Sequence, residues 1–279
     1  MPTYDCQPTL NDSQVLDFCK SGFLMLPGVV PAEINQRTLA YLEARPTSEP
    51  TEILNEEWFL QNVIVQPAVA GAVRSLLGPN FGLPILMSNH RVQCPQPAQQ
   101  WHRDGRSQQG PQLNYLQVFY YPQECPPESG PTELLPGSHH IFNQARYMAH
   151  FGQIRGTYYA AAPAGSVFLT VYSIWHRRSA STGTELRNLL KYNYWRTTPP
   201  ARDWIQEPGF DPRLADYHMD GPVLREQFQD CDDNAQMYYW LCGRSADFHL
   251  MGGQGWPIQA RFLGGTPYGY PGEVTNRRD

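Results

Sequence analysis

From residue 11 to about residue 80 the apolar positions recur with a helical period. Val15, Leu16 and Cys19 share one face of a short segment, Asn11 to Lys20. Asn11 can cap it, and Gln14 stands where a capping-box partner belongs. Gly22 stops it, and Phe23-Leu24-Met25-Leu26 reads as a strand. Pro31 opens a second helix through about Ala44, with Ile34, Leu39 and Leu42 apolar. Residues 45–55 read as a loop. Trp58 to Val65 and Ala68 to Leu77 read as two further helical pieces, closed by Gly78-Pro79.

From residue 81 the period changes to two. Ile85 to Met87, Arg91 to Gln93, Asn114 to Tyr121, Thr132 to Leu135, Tyr158 to Ala162, Ser166 to Val171 and Leu189 to Trp195 read as short strands, with Gly and Pro between them. Pro136 to His140 is a turn. Helical character returns at Leu224 to Gln229 and Ala235 to Leu241, and Gly264 to Glu273 reads as loop. The pattern predicts a mainly β sandwich or barrel with flanking helices. No repeat or linker divides it, so one domain is expected over residues 1–279, with a helical flank at 1–80, a barrel core at about 81–197 and a helical and loop flank at 198–279.

Composition narrows the function. The 26 prolines and 23 glycines suit a loop-rich β fold, and 41 % hydrophobic residues suffice for a large core. The net charge is −5 and no basic stripe occurs, which argues against a nucleic-acid partner. Lys20 and Lys191 are the two lysines. No apolar run approaches the ~18 residues of a membrane span. The polar start carries no signal-peptide pattern, and the six cysteines form no C-x-x-C pair. Reduced thiols and a cytoplasmic location are the expectation. A small-molecule substrate is expected; the oligomeric state is left open.

The chemistry starts at Gln99-Gln100-Trp101-His102-Arg103-Asp104. In an extended segment residues two apart point the same way, so His102 and Asp104 project together. Two histidines and one carboxylate on one face make the facial triad of a non-haem Fe(II) site. Of eight histidines, His176 is the best third ligand, because it ends the extended run Ser166 to Trp175; His139 and His140 in the turn are runners-up. Arg187 follows His176 by eleven residues and opens the apolar strand Leu189 to Trp195. A guanidinium pointing inward there needs an anion, either a ligand carboxylate or a structural partner such as Glu185.

The segments Gln99 to Asp104, Ser129 to His140 and Trp175 to Trp195 together resemble the phytanoyl-CoA dioxygenase-like family of Fe(II)/2-oxoglutarate oxygenases. The ordered set is His-x-Asp, a PGSH turn, a distal His, and an Arg eleven residues on. The stretch Asn11 to Val30 also resembles the family's opening helix and strand. The resemblance covers roughly residues 10 to 197 and implies a double-stranded β-helix (jelly-roll, cupin-like) barrel. It implies that His102, Asp104 and His176 bind Fe(II), that Arg187 holds the far carboxylate of 2-oxoglutarate, and that O2 is consumed. By position, Met87, Tyr120 and Gln100 would line the cosubstrate pocket. One departure is Arg178, where some members carry a serine that contacts 2-oxoglutarate; the nearby hydroxyls here are Ser179 and Ser181. Halogenating relatives lack the carboxylate, so Asp104 directs the expectation to hydroxylation, desaturation or cyclisation. An aromatic pocket for a bulky natural-product intermediate is expected from Trp58, Phe59, Trp204, Tyr217, Tyr238, Tyr239, Trp240, Phe248 and Trp256. A zinc hydrolase using the same three ligands and an inactive cupin-like binding protein are the alternatives.

Overall fold

In the computed structural model, residues 2–105, 109–141, 148, 150–219 and 227–248 are described. The N-terminal flank follows the sequence pattern, except that Thr51–Asn55, read as loop, forms a 3-10 helix. Helix α1 spans Asp12–Ser21. Its capping box is closed: Gln14 N–H donates to Asn11 Oδ1 at 2.9 Å, and Asn11 N–H donates to Gln14 Oε1 at 3.0 Å. Gly22 ends the helix in the left-handed region, φ 80°. A Cβ at that position would stand 2.4 Å from the His139 ring, so glycine is required by both backbone and space. Helix α2 spans Ala32–Ala44, α3 Glu57–Phe59, continued by a π turn at Leu60–Ile64, and α4 Pro67–Leu77.

The strands are β1 (Thr3–Tyr4), β2 (Phe23–Leu26), β3 (Phe81–Gly82), β4 (Ser88–Asn89), β5 (Val92–Gln93), β6 (Tyr115–Tyr121), β7 (Thr132–Leu134), β8 (Tyr158–Tyr159), β9 (Ser166–Val171), β10 (His176–Arg178), β11 (Leu186–Arg187) and β12 (Leu190–Trp195). A major antiparallel sheet runs β1-β3-β12-β6-β9-β2, with β4 also on β12. The opposing layer is built from β10-β7-β8 and β11-β5, extended by single bridges such as His102↔His176 and Gln96↔Ser181. This is the jelly-roll barrel, with the helices laid on one face of the major sheet.

Strand parity separates two interiors. On β6, Leu116, Val118 and Tyr120 join the core under the helices, while Phe119 and Tyr121 face the barrel lumen. On β12, Leu190, Tyr192 and Tyr194 face the helices, and Lys191 and Asn193 lie on the other face. The C-terminal helix α5 (Gln227–Leu241) packs on α1. Buried Asp12 ties the two flanks together. It accepts from Arg202 Nε and Nη2 at 2.7 and 2.6 Å, Trp204 Nε1 at 2.8 Å, Tyr238 Oη at 2.7 Å and Glu207 N–H at 2.8 Å.

Two expectations are corrected. Ile85 to Met87 is not a strand; the pairing begins at Ser88, and Ile85 and Leu86 are 50 % and 69 % exposed. Pro84 removes a backbone donor just ahead of them. The two late helical pieces are one helix, for which residues 224–226 lie outside the described set, as does the loop expected at 264–273. Among the described residues no helix is long and apolar enough to cross a membrane.

Candidate metal centre and anion pocket

His102 and His176 face each other across an antiparallel bridge. Each donates its backbone N–H to the other's carbonyl, both at 3.0 Å. Their rings are 4.5 Å apart between centroids. Each Nδ1 lies against a carbonyl two residues back: Gln100 O at 2.8 Å for His102 and Ile174 O at 3.1 Å for His176. That contact selects the tautomer with Nδ1 protonated and leaves Nε2 as the ligand atom. Asp104 completes the cluster. His176 Nε2 is 3.3 Å from Asp104 Oδ2, and one ligand atom from each of the three residues lies within 4.8 Å of the others. The donor set and spacing fit a two-His-one-carboxylate metal ion.

The opposite face of the same bridge explains the neighbouring tryptophans. Arg177 lies over the Trp101 ring and Arg103 over the Trp175 ring, each 4.8 Å from the centroid. Arg177 Nε also meets buried Glu133 Oε2 at 2.5 Å. The PGSH turn adds a brace, since Ser138 Oγ accepts the Trp175 N–H at 2.9 Å, one residue before His176. His139 and His140 stay out of the cluster; both rings approach the Cys19 carbonyl, at 3.0 and 3.1 Å, and hold α1 to the barrel.

Two side chains not anticipated from sequence reach Asp104. Gln117 Nε2 and Lys191 Nζ both donate to Asp104 Oδ2. Burial opposes ionisation of Asp104, but the adjoining His176 and the Lys191 ammonium outweigh it and hold the carboxyl far below the usual range. Burial, then the nearby His176, lowers the His102 imidazole. Burial, with Lys191 next, pushes His90 down to about 4, so it stands neutral near the site. The signal for Gln117 was present in the strand: Gln117, Phe119 and Tyr121 share one face of β6. Lys191 lies directly opposite Phe119, and Phe119 packs edge-on to His176, centroids 5.5 Å apart.

Arg187 lies in the same barrel and is 1 % exposed. Its Nη2 reaches Thr132 Oγ1 at 3.5 Å, and its guanidinium stands 5.6 Å from the Tyr121 ring centroid. Its Nε has no partner, and among the described residues no carboxylate pairs with it. Glu185 instead accepts from Ser129 Oγ. A buried guanidinium left this way is a site for an anion with two oxygens. Thr132 and the Tyr121 hydroxyl, 3.2 Å apart, supply polar groups beside it. Thr132 pairs with Arg178 in the β10–β7 register, so it places a hydroxyl next to the position where the serine is missing. Ser179 and Ser181 are engaged with Pro131 O and Gln96 N–H.

Three expected lining residues are placed elsewhere. Tyr120 is on the helix-facing side of β6, its hydroxyl on Asn35 Oδ1 at 2.7 Å; one-residue parity sends it away from the lumen. Met87 is buried in the same helix-side core, its N–H on Thr51 Oγ1 at 3.2 Å. Gln100 is exposed, and its contribution to the cluster is the carbonyl that orients His102. The expected aromatic pocket is also corrected. Phe59, Trp204, Tyr217, Tyr238, Tyr239 and Phe248 are buried in the helix-side core, with Trp58 and Trp240 packed against it, because the flanking helices need those rings to cover the sheet. Trp256 lies outside the described residues. A cavity of about 520 Å³ opens instead at the Asn193 end of β12, lined by amides such as Gln112 and Asn114 and equally by apolar surface from Pro111, Tyr115 and Val171.

A jelly-roll barrel holding two histidines and a carboxylate, with a buried arginine nearby, is the architecture of a non-haem Fe(II) oxygenase. Residues 51–188 match the family profile of phytanoyl-CoA dioxygenase (PhyH). Residues 51–188 thus carry a PhyH family domain, and the enzymes of this family and fold are Fe(II)/2-oxoglutarate-dependent oxygenases, which use O2. Similar solved structures include HygX from Streptomyces hygroscopicus with nickel and 2-oxoglutarate bound, at 16 % identity, covering 68 % of this chain and 88 % of that one with a TM-score of 0.56. They also include SnoN, a non-heme alpha ketoglutarate dependent epimerase from nogalamycin biosynthesis (16 % identity, 67 % and 81 % covered, TM-score 0.54). The carbocyclase SnoK from the same biosynthesis is similar too (16 % identity, 72 % and 91 % covered, TM-score 0.55). At these identities the likeness establishes the fold. No curated protein matches the chain in sequence.

Proposed function

We propose that His102, Asp104 and His176 hold Fe(II), that Arg187 with Thr132 and Tyr121 holds the distal carboxylate of 2-oxoglutarate, and that the enzyme oxidises a C–H bond of a small molecule. The observation that carries this reading is the buried Arg187 guanidinium, unpartnered at Nε, in the barrel that also gathers the three metal-type ligands. A zinc hydrolase has no task for that guanidinium, and a binding protein has none for a complete ligand set. Hydroxylation is the first expectation, with desaturation and cyclisation as the other outcomes. The substrate is proposed to be an intermediate of secondary metabolism, in line with the nogalamycin enzymes that share the fold.

When bound, Fe(II) with 2-oxoglutarate and O2 supplies oxidative decarboxylation to succinate and CO2, coupled to oxidation of the substrate. The chain's own residues set the conditions. The carbonyls of Gln100 and Ile174 fix both imidazoles as neutral Nε2 donors. Gln117 orients Asp104, while Lys191 keeps it ionised but occupies the same oxygen a metal would take. Arg187 orients the cosubstrate by a two-point contact that lysine could not reproduce. Phe119 and Phe168, both buried, keep the lumen beside His176 dry.

The test is an anaerobic titration of the metal-free protein with Fe(II) and 2-oxoglutarate, followed by visible absorption. A charge-transfer band that requires both is the expected result, followed by O2-dependent succinate release. Tight Zn2+ binding with no such band would refute the proposal.

A further inference from the structure

The two metal-type histidines sit in two copies of one tripeptide. Trp101-His102-Arg103 and Trp175-His176-Arg177 carry the same residues in the same order. The copies run antiparallel, and the His102↔His176 bridge is their centre. That pairing sets Trp101 across from Arg177 and Arg103 across from Trp175. Both pairs close: each guanidinium stands 4.8 Å from the centroid of the other copy's indole. The four side chains share one face because each flanks a histidine by one residue. The imidazoles turn to the opposite face, where Asp104 joins them.

The backbone by itself holds this arrangement weakly. The segment carrying His102 and Asp104 belongs to no strand, and the bridge is a single rung. It does not continue in register: the next bond, from Gln99 N–H to Arg178 O at 2.9 Å, is one residue out of step. A slip of one residue would send His102 to the outer face. The pairs on either side of a hydrogen-bonded rung are those whose side chains approach closest. Contacts there oppose such a slip most directly. Both tryptophans are 1 % exposed. The second copy is also tied outward. Arg177 lies opposite Glu133 on β7 and donates its Nε to that carboxylate at 2.5 Å. Trp101 is anchored through Nε1, which donates to Gly152 O at 3.0 Å.

We infer that Trp101, Arg103, Trp175 and Arg177 are positioning residues, a clasp on the outer face of the bridge that sets the spacing and aim of the two imidazoles. Arg103, between His102 and Asp104 in the chain, extends the same control to the carboxylate. The clasp acts through the ligands and touches neither metal nor substrate. This rests on the metal-centre reading and extends it from the three ligands to the groups that space them.

The experiment is a Co(II) titration of the metal-free protein followed by visible absorption, with thermal unfolding of each variant measured without metal. Arg103→Leu opens one half of the clasp. Arg177→Met combined with Glu133→Gln opens the other half and removes both members of the buried ion pair, so that no charge is stranded. Each variant should bind Co(II) about tenfold more weakly, about 1.4 kcal/mol. Each should also shift the position or intensity of the Co(II) bands, which report ligand geometry. A clasp that serves stability alone would lower Tm and leave affinity and bands at parent values. Parent-like affinity and bands in either folded variant would therefore overturn the inference, however far Tm falls. Should Arg103→Leu fail to fold, the second variant decides. A parent that binds no Co(II) would bring down the metal-centre reading itself, an outcome distinct from parent-like behaviour of the variants.

Discussion

Replacing Arg187 by methionine separates a ligand-binding arginine from a structural one. The variant removes the charge and keeps most of the stem. Were Arg187 half of a buried ion pair, the change would strand a carboxylate and cost about 3–5 kcal/mol. No such carboxylate is present among the described residues; the guanidinium has a 3.5 Å contact to Thr132, a ring contact to Tyr121 at 5.6 Å, and weak contacts to the Cys125 thiol and the Tyr121 hydroxyl. Those are worth about 1 kcal/mol together, and relief of the guanidinium's desolvation offsets them. Without ligands the variant's stability should thus stay within about 1 kcal/mol of the parent. With Ni(II) present and 2-oxoglutarate at a hundred times its Kd, the parent gains about 2.7 kcal/mol. For a chain of this size that raises Tm by about 5–10 °C. The variant loses two charge-assisted hydrogen bonds of about 1.5–3 kcal/mol each. Its 2-oxoglutarate affinity should fall at least a hundredfold and its Tm shift should vanish. Thermal unfolding with and without 2-oxoglutarate reads both halves. A loss of several kcal/mol in the ligand-free variant would make Arg187 structural, and a retained 2-oxoglutarate shift would move the anion pocket elsewhere.

Other expectations follow from the same geometry. Asp104→Ala should abolish Fe(II) binding in an anaerobic titration while circular dichroism stays that of the parent; a retained metal site would refute the triad. Lys191→Met should tighten metal binding by about tenfold, about 1.4 kcal/mol, because the ammonium that competes for Asp104 Oδ2 is gone; weaker Co(II) binding in that variant would show the ammonium to be a needed support. Asp12, held at about 2 because the Arg202 hydrogen bond, then those of Glu207 N–H, Tyr238 and Trp204, outweighs the opposing burial, contributes stability that is fully present above the unfolded carboxyl value of about 4. That contribution, about 2–3 kcal/mol, is lost as pH falls from about 4 towards 2. Asp12→Asn should show the loss already at pH 7 in urea unfolding, and its stability should depend less on pH in that acid window; an unchanged midpoint would mean the five contacts are dispensable.

The sequence alone determined what local rules control. Asn11, Gln14 and Gly22 specified α1 because caps act within four residues. The shift of apolar period at residue 81 specified the barrel, because a strand buries alternate positions. His102 and Asp104, two apart, had to share a face, and the eleven-residue step from His176 to Arg187 carried the family resemblance. Tertiary structure decided which face was which. The alternation of Tyr115–Tyr121 defines two faces, and only α2, through Asn35, makes Tyr120 the helix side and leaves Gln117, Phe119 and Tyr121 in the lumen. The Lys191–Asp104 contact joins positions 87 residues apart and depends on strand register, which no local pattern encodes. The rings of the C-terminal flank look alike as core or as pocket wall until packing on α1 consumes them. The cavity at Asn193 then forms where the barrel strands, rather than the aromatic helices, meet open space.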